Sequence, residues 1–178
     1  MLASSASVCG AEGQPDMTNE KKSLVEGISL VELRQISDKR GALLHMLRSD
    51  APEFSKFGEC YFSEVLPGAV KAWKFHHRQV QNIAVPVGRI RMVIYDDRDG
   101  SSTRGQVEVL ELGRPDKYFR LQIPPQLWYG FSCISKVPAL LVNCSDLLHD
   151  PLESQTREFD DRSIPYSWVE PCEGISPN

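Results

Sequence analysis

The feature that most constrains this chain is its punctuation. From Ile28 to Cys144 it runs in apolar or alternating stretches of strand length, each closed by a turn signal, and helical periodicity is scarce. Ile28–Gln35 alternates, Asp38-Lys39-Arg40-Gly41 turns, and Ala42–Leu47 continues as a strand. Glu59–Leu66 ends at Pro67-Gly68, and Val70–Phe75, Val80–Val87 and Arg89–Asp96 follow in quick succession. Gln106–Leu112, Tyr118–Ile123, Tyr129–Ile134 and Ala139–Cys144 bring the expectation to about ten strands, the pattern of an all-β sandwich or barrel. Pro124-Pro125 and Pro138 fall at strand ends, where a missing N–H costs no ladder bond. Asp96-Asp97-Arg98 reads as a solvated turn, and the chain beyond Leu148 reads as irregular structure packed by Tyr166 and Trp168.

With 178 residues the chain suits one core, expected over 23–170 between a tail at 1–22 and a loose end at 171–178. A formal net charge of -4 argues against a nucleic-acid binder, which needs a clustered Lys/Arg excess to meet phosphates. The longest apolar candidate, Val137–Val142, is far too short to span a bilayer, so no membrane association is expected. Met1–Asp16 has neither the basic nor the apolar stretch of a secretory signal. Five cysteines without a CxxC pair read as reduced thiols, and the expected location is cytoplasmic.

Between Gly68 and Gly88 the residues resemble the first motif of the cupins, jelly rolls of the double-stranded β-helix type. In that motif a glycine is followed by His-x-His, then Glu, then a second glycine; here the slots hold Gly68, Lys74, His76, Gln81 and Gly88. The second cupin motif falls on Pro124–Tyr129, with Gln126 in a glycine slot and Tyr129 in a histidine slot. A metal would therefore meet an ammonium, one imidazole, an amide and a phenol, a poor donor set, so no metal is expected.

Over Ile28–Trp168 the ordered signposts are similar to those of the dTDP-4-dehydrorhamnose 3,5-epimerases, a metal-free cupin family. They are Asp38-Lys39-Arg40-Gly41, Val70-Lys71-Ala72-Trp73, Tyr95-Asp96-Asp97-Arg98, Tyr129-Gly130-Phe131, His149-Asp150-Pro151 and Asp160-Asp161. The resemblance implies an isomerase of a nucleotide-linked 4-keto-6-deoxy sugar. Such an enzyme removes a proton beside the ketone, stabilises the enolate and returns a proton to the opposite face, which implies that no cofactor is needed.

In the family the base is a histidine held by an aspartate, and the acid is a tyrosine. Here the base slot holds Lys74, the aspartate slot Asp161, the acid slot falls near Val142, and a second family histidine becomes Tyr129. His76, which titrates near neutrality, is then the candidate base, Lys74 the fixed charge beside the enolate, and Tyr129 the candidate proton donor. The alternative is a non-catalytic sugar-nucleotide-binding cupin whose Lys74 and Asp161 form an ion pair in a disused site. A third reading, a metal-dependent cupin, is separated by metal analysis.

Arg40 and Lys71 occupy slots of family arginines, the former on the diphosphate, and Gln81 replaces a family lysine. Trp128 is the candidate surface for stacking a base. His149 reads as an ordinary loop residue. The family also implies a homodimer, in which the amino-terminal strands cross to the neighbouring copy and Arg40 serves the partner's pocket.

Overall fold

Two antiparallel sheets of five strands each face one another across a shared apolar interior, in a computed structural model that describes residues 25–168. The tails expected at 1–22 and 171–178 lie outside the described residues. In chain order the strands are β1 Ser29–Glu32, β2 Gln35–Asp38, β3 Gly41–Leu44, β4 Glu59–Val65, β5 Val70–His76 and β6 Gln81–Val87. They continue as β7 Arg89–Tyr95, β8 Val107–Gly113, β9 Phe119–Ile123, β10 Trp128–Cys133, β11 Ala139–Ser145 and β12 Ser154–Thr156. The first sheet runs β1-β9-β6-β11-β4 and the second β12-β5-β10-β7-β8, while β2 and β3 form a separate hairpin. Consecutive strands repeatedly change sheet, and this is the expected jelly roll.

Period-two alternation places the core. Along β7, Ile90, Met92 and Ile94 enter the interior between the sheets, where they meet Ile83 and Val85 of β6 and Leu121 and Ile123 of β9. The intervening Val93 and Tyr95 point outward yet are also buried. Trp73, Trp128 and Ile164 cover them, with Tyr166 and Trp168 packed alongside, so the carboxy-terminal segment closes the outer face of the second sheet. A smaller cluster of Leu33, Ala84, Tyr118 and Val142 covers the outer face of the first sheet.

The turns obey the glycine pattern. Gly88, between β6 and β7, has φ +70°, and a Cβ there would lie 2.6 Å from Ala139 Cα, so both conformation and space require glycine. Gln126, in the cupin glycine slot, keeps a left-handed conformation with φ 67° despite its side chain.

Three expectations are corrected. The long strand Ile28–Gln35 is broken, because Leu33 turns into the third cluster and its N–H donates to Tyr118 O at 2.9 Å. A strand absent from the sequence reading, β12, pairs with the edge of β5. Asp96 is not solvated: it is fully buried, accepting from Arg98 Nε at 2.9 Å, Ser101 Oγ at 2.6 Å and Thr103 Oγ1 at 2.6 Å.

Candidate active site

A cavity of about 590 Å³ opens between the two sheets, lined from one side by β5 and β10 and from the other by β4 and β11. Alternation decides who enters it. On β5, Trp73 and Phe75 join the outer cluster, which turns Lys74 and His76 inward. On β10, Trp128 faces out and Tyr129 faces in. Tyr129 and Lys74 are direct cross-strand partners, so the family's base slot and second histidine slot lie side by side.

His76 sits at the centre of a three-residue chain. Its Nδ1 lies 2.6 Å from Oε2 of Glu153, and its Nε2 lies 3.2 Å from the Tyr129 hydroxyl. Glu153 comes from the 3-10 turn Pro151–Glu153, capped by Asp150, whose carboxylate accepts from Leu152 N at 2.9 Å. The other Glu153 oxygen accepts from the backbone N–H groups of Arg78 at 2.6 Å and Gln79 at 2.8 Å. Desolvation raises the Glu153 pKa, but the hydrogen bonds from Arg78, His76 and Gln79 outweigh it and hold the carboxyl below its ordinary value.

An ionised Glu153 is acceptor-only, so His76 Nδ1 carries the proton and the Nε2 lone pair, on the cavity side, meets the Tyr129 hydroxyl. Burial lowers the His76 pKa from 6.5, opposed by Glu153 and assisted by the charges of Lys74 and His149. The imidazole is therefore neutral at pH 7. Burial pushes the Tyr129 phenol well above 10, aided by Tyr61 and Glu153, so it stays protonated and donates to Nε2.

The opposite wall belongs to the first sheet. Asn143 of β11 enters among apolar neighbours, and its Nδ2 donates to the Tyr61 hydroxyl at 2.8 Å and to Gln81 Oε1. Gln81 Nε2 donates in turn to Gln79 Oε1 at 2.9 Å. Lys71 stands at the rim, its ammonium donating to Ser63 Oγ at 2.9 Å and Glu64 O at 2.7 Å.

The residues expected at the site divide accordingly. Lys74, His76, Tyr129 and Lys71 share the cavity. Gln81 lies behind the wall as a link in the amide chain and is almost wholly buried. Trp128 is on the outer face, under the Arg157 guanidinium at 4.1 Å, and lines a separate cavity of about 240 Å³. Arg40 is exposed at the tip of the β2–β3 hairpin, paired with Asp38 at 2.7 Å. Asp161 does not meet Lys74; it accepts from Ser163 N at 2.8 Å and lies 3.9 Å from Arg157. Val142, near the family's acid slot, packs in the outer cluster of the first sheet. His149, read as an ordinary loop residue, lines the cavity.

Sequence reasoning missed Glu153, Tyr61 and Asn143. A signal existed for the last, since an asparagine inside the apolar run Ala139–Cys144 has to be satisfied by something polar. Tyr61 alternates with Glu59 and Ser63 on β4, a polar inward face that marks a site rather than a core. Among the described residues, no three His, Cys, Asp or Glu side chains converge as a metal-binding set.

The sequence profile described as dTDP-4-dehydrorhamnose 3,5-epimerase matches residues 22–177. A probable low-salt glycan biosynthesis epimerase, Agl13 of Haloferax volcanii, is 34% identical over 80% of this chain and 88% of its own. The spore coat polysaccharide biosynthesis protein SpsL of Bacillus subtilis is 26% identical over 82% of this chain and 97% of its own. Among solved structures, a dTDP sugar isomerase from Desulfovibrio desulfuricans G20 is 53% identical and superposes with a TM-score of 0.82, covering 83% of this chain and 94% of that one.

Proposed function

This chain belongs to the dTDP-4-dehydrorhamnose 3,5-epimerase family, and from that premise we propose that it epimerises a nucleotide-linked 4-keto-6-deoxy sugar with a relocated base. The family's base slot is Lys74, yet the residue two positions on, His76, has the acidic partner, the orientation and the burial of a general base. The observation that carries this reading is the 2.6 Å contact between His76 Nδ1 and Glu153, with the opposite nitrogen facing the cavity.

The chemistry follows from the geometry. Once the sugar displaces the Tyr129 hydroxyl from His76 Nε2, a carbon beside the C4 ketone loses its proton to that nitrogen, and the bonding pair moves through the carbon framework onto the carbonyl oxygen. The resulting imidazolium is stabilised by Glu153, and the enolate oxygen by the Lys74 ammonium. Proton return to the opposite face completes inversion, and the electron pair leaves oxygen to reform the ketone. Every step is a proton transfer, so the reaction is redox-neutral.

Lys71 at the rim suits a phosphate of the nucleotide. In this reading the protein is a cytoplasmic homodimer, and Arg40, exposed on a projecting hairpin, completes the partner's pocket rather than its own; sedimentation tests the dimer. The function is tested with dTDP-4-keto-6-deoxyglucose in heavy water. Deuterium enters at C3 or C5 if the reading is right, and no exchange across a panel of dTDP-4-keto sugars overturns it.

A further inference from the structure

Inversion at carbon has a requirement that His76 and Tyr129 do not meet together. The base takes a proton from one face of the sugar ring, and an acid must return one from the other. His76 Nε2 and the Tyr129 hydroxyl are 3.2 Å apart and their rings are nearly parallel, with an interplanar angle of 15°. No ring fits between them, so a sugar bound at this wall meets both groups from the same side. Alone, this pair exchanges a proton with retention.

We propose that Tyr61, on the wall facing His76, is the proton donor to the opposite face; this rests on the epimerase reading above. β4 and β11 supply that wall, and its functional groups are few. Glu59 on β4 is a carboxylate, a hydrogen-bond acceptor by type. Ser63 holds the Lys71 ammonium, and His149 lies off this wall, after the end of β11 and two residues before the turn Pro151–Glu153 that supports the base. Asn143 is an amide, and Leu141 and Ile83 are apolar. Tyr61 is the remaining acid, close enough to Tyr129 to affect that phenol's ionisation.

The wall is also built to make Tyr61 a donor. Asn143 Oδ1 accepts from Asn82 N at 3.2 Å, which orients its amide so that one Nδ2 hydrogen reaches the Tyr61 oxygen and the other reaches Gln81. Gln81 is held by Gln79, and Gln79 Nε2 donates to Leu147 O at 2.8 Å. This chain fixes the position of the phenol and presents its oxygen with a hydrogen bond that favours phenolate. Burial raises the Tyr61 pKa, and the bond from Asn143 opposes that rise. In the step itself the Tyr61 O–H proton passes to carbon, the enolate pair forms the new C–H bond, and the C4 carbonyl reforms. Tyr61 is left as phenolate and His76 as imidazolium. With 41% of Tyr61 exposed, the phenolate recovers its proton from water at the cavity mouth while His76 releases its own.

The experiment compares exchange with inversion in Tyr61→Phe, using dTDP-4-keto-6-deoxyglucose in heavy water followed by proton NMR. The substitution removes one oxygen and keeps the ring, and near-ultraviolet circular dichroism verifies the fold. The expected result is deuterium exchange at C3 or C5 within about threefold of the unmodified protein, with inversion slowed roughly 100-fold or more. Inversion at the original rate overturns the assignment, and so does a parallel loss of exchange and inversion, which would place Tyr61 in the first step. Absence of exchange in the unmodified protein would instead overturn the epimerase reading itself.

Discussion

Glu153 holds His76 by a 2.6 Å contact between residues 77 positions apart in the chain. It is the side chain of a three-residue turn that reaches beneath the edge of β5, and its second oxygen is occupied by two backbone N–H groups, so it cannot swing away. The carboxylate fixes which imidazole nitrogen carries the proton.

Replacing Glu153 by Gln keeps the shape and removes the charge. Glu153 raises the His76 pKa against the larger downward effect of burial, so E153Q lowers that pKa further. Because the base works neutral, the acidic limb of kcat/KM lies below pH 6.5 in the unmodified protein and moves to lower pH in E153Q. The plateau rate falls by about 10²–10⁴-fold, the usual worth of a positioned general base. A plateau loss with no displacement of the limb would show that Glu153 acts only on structure.

Lys74 makes a different prediction from the one its slot suggests. Opposite Tyr129 across the strands, it faces the cavity as a cation. Its contribution arises as negative charge gathers on the carbonyl oxygen, so Lys74→Met should lower kcat by roughly 10²–10³ with little change in KM. The acidic limb should move up slightly, because the Lys74 charge holds the His76 pKa down. If Lys74 were the base, the variant would lose all exchange and H76N would retain it; measuring exchange in both separates the roles.

The strands were legible because the interior is apolar and alternation in sequence is alternation in space. β7 shows the reach of that rule: Ile90, Met92 and Ile94 were recognisable as one face, whereas burial of Val93 and Tyr95 depends on Ile164, Tyr166 and Trp168 far along the chain. The site was half legible for the same reason. His76 and Tyr129 followed from a motif confined to two strands, but Glu153 lies in a polar stretch whose docking against β5 has no periodic signature. Asp161 shows where slot-matching fails, since position along an irregular segment says little about position in space.

Asp96 tests the loop that follows β7. Its carboxylate is buried and held far below its ordinary 3.8: burial alone would raise the pKa, but hydrogen bonds from Arg98, Ser101 and Thr103 prevail. A depressed folded-state pKa contributes stability above the unfolded value and loses it as pH falls through and below about 3.8. D96A leaves Arg98 partly buried without its partner, and the cost at pH 7 should be about 3 kcal/mol. Urea unfolding at pH 7 and pH 3 provides the check, and the gap between the two proteins should narrow at the lower pH.

Gly130 joins the catalytic face to the carboxy-terminal cover. It lies between Tyr129 and Phe131, where the pairing of β10 with β5 shifts register. A Cβ at this position would stand 2.4 Å from Ala72 Cβ and 2.9 Å from a ring carbon of Trp168. The Trp168 ring can yield, but Ala72 is tied into β5, so the strands must separate locally. Gly130→Ala should therefore destabilise the fold by roughly 1–3 kcal/mol, the range for overpacking a filled site. The strain falls beside the Lys74–Tyr129 pair, so kcat should drop along with the unfolding midpoint. The companion variant Ala72→Gly,Gly130→Ala relieves the 2.4 Å contact. Recovery of both stability and rate in the double variant is the expected outcome, measured by thermal unfolding and by the heavy-water exchange assay.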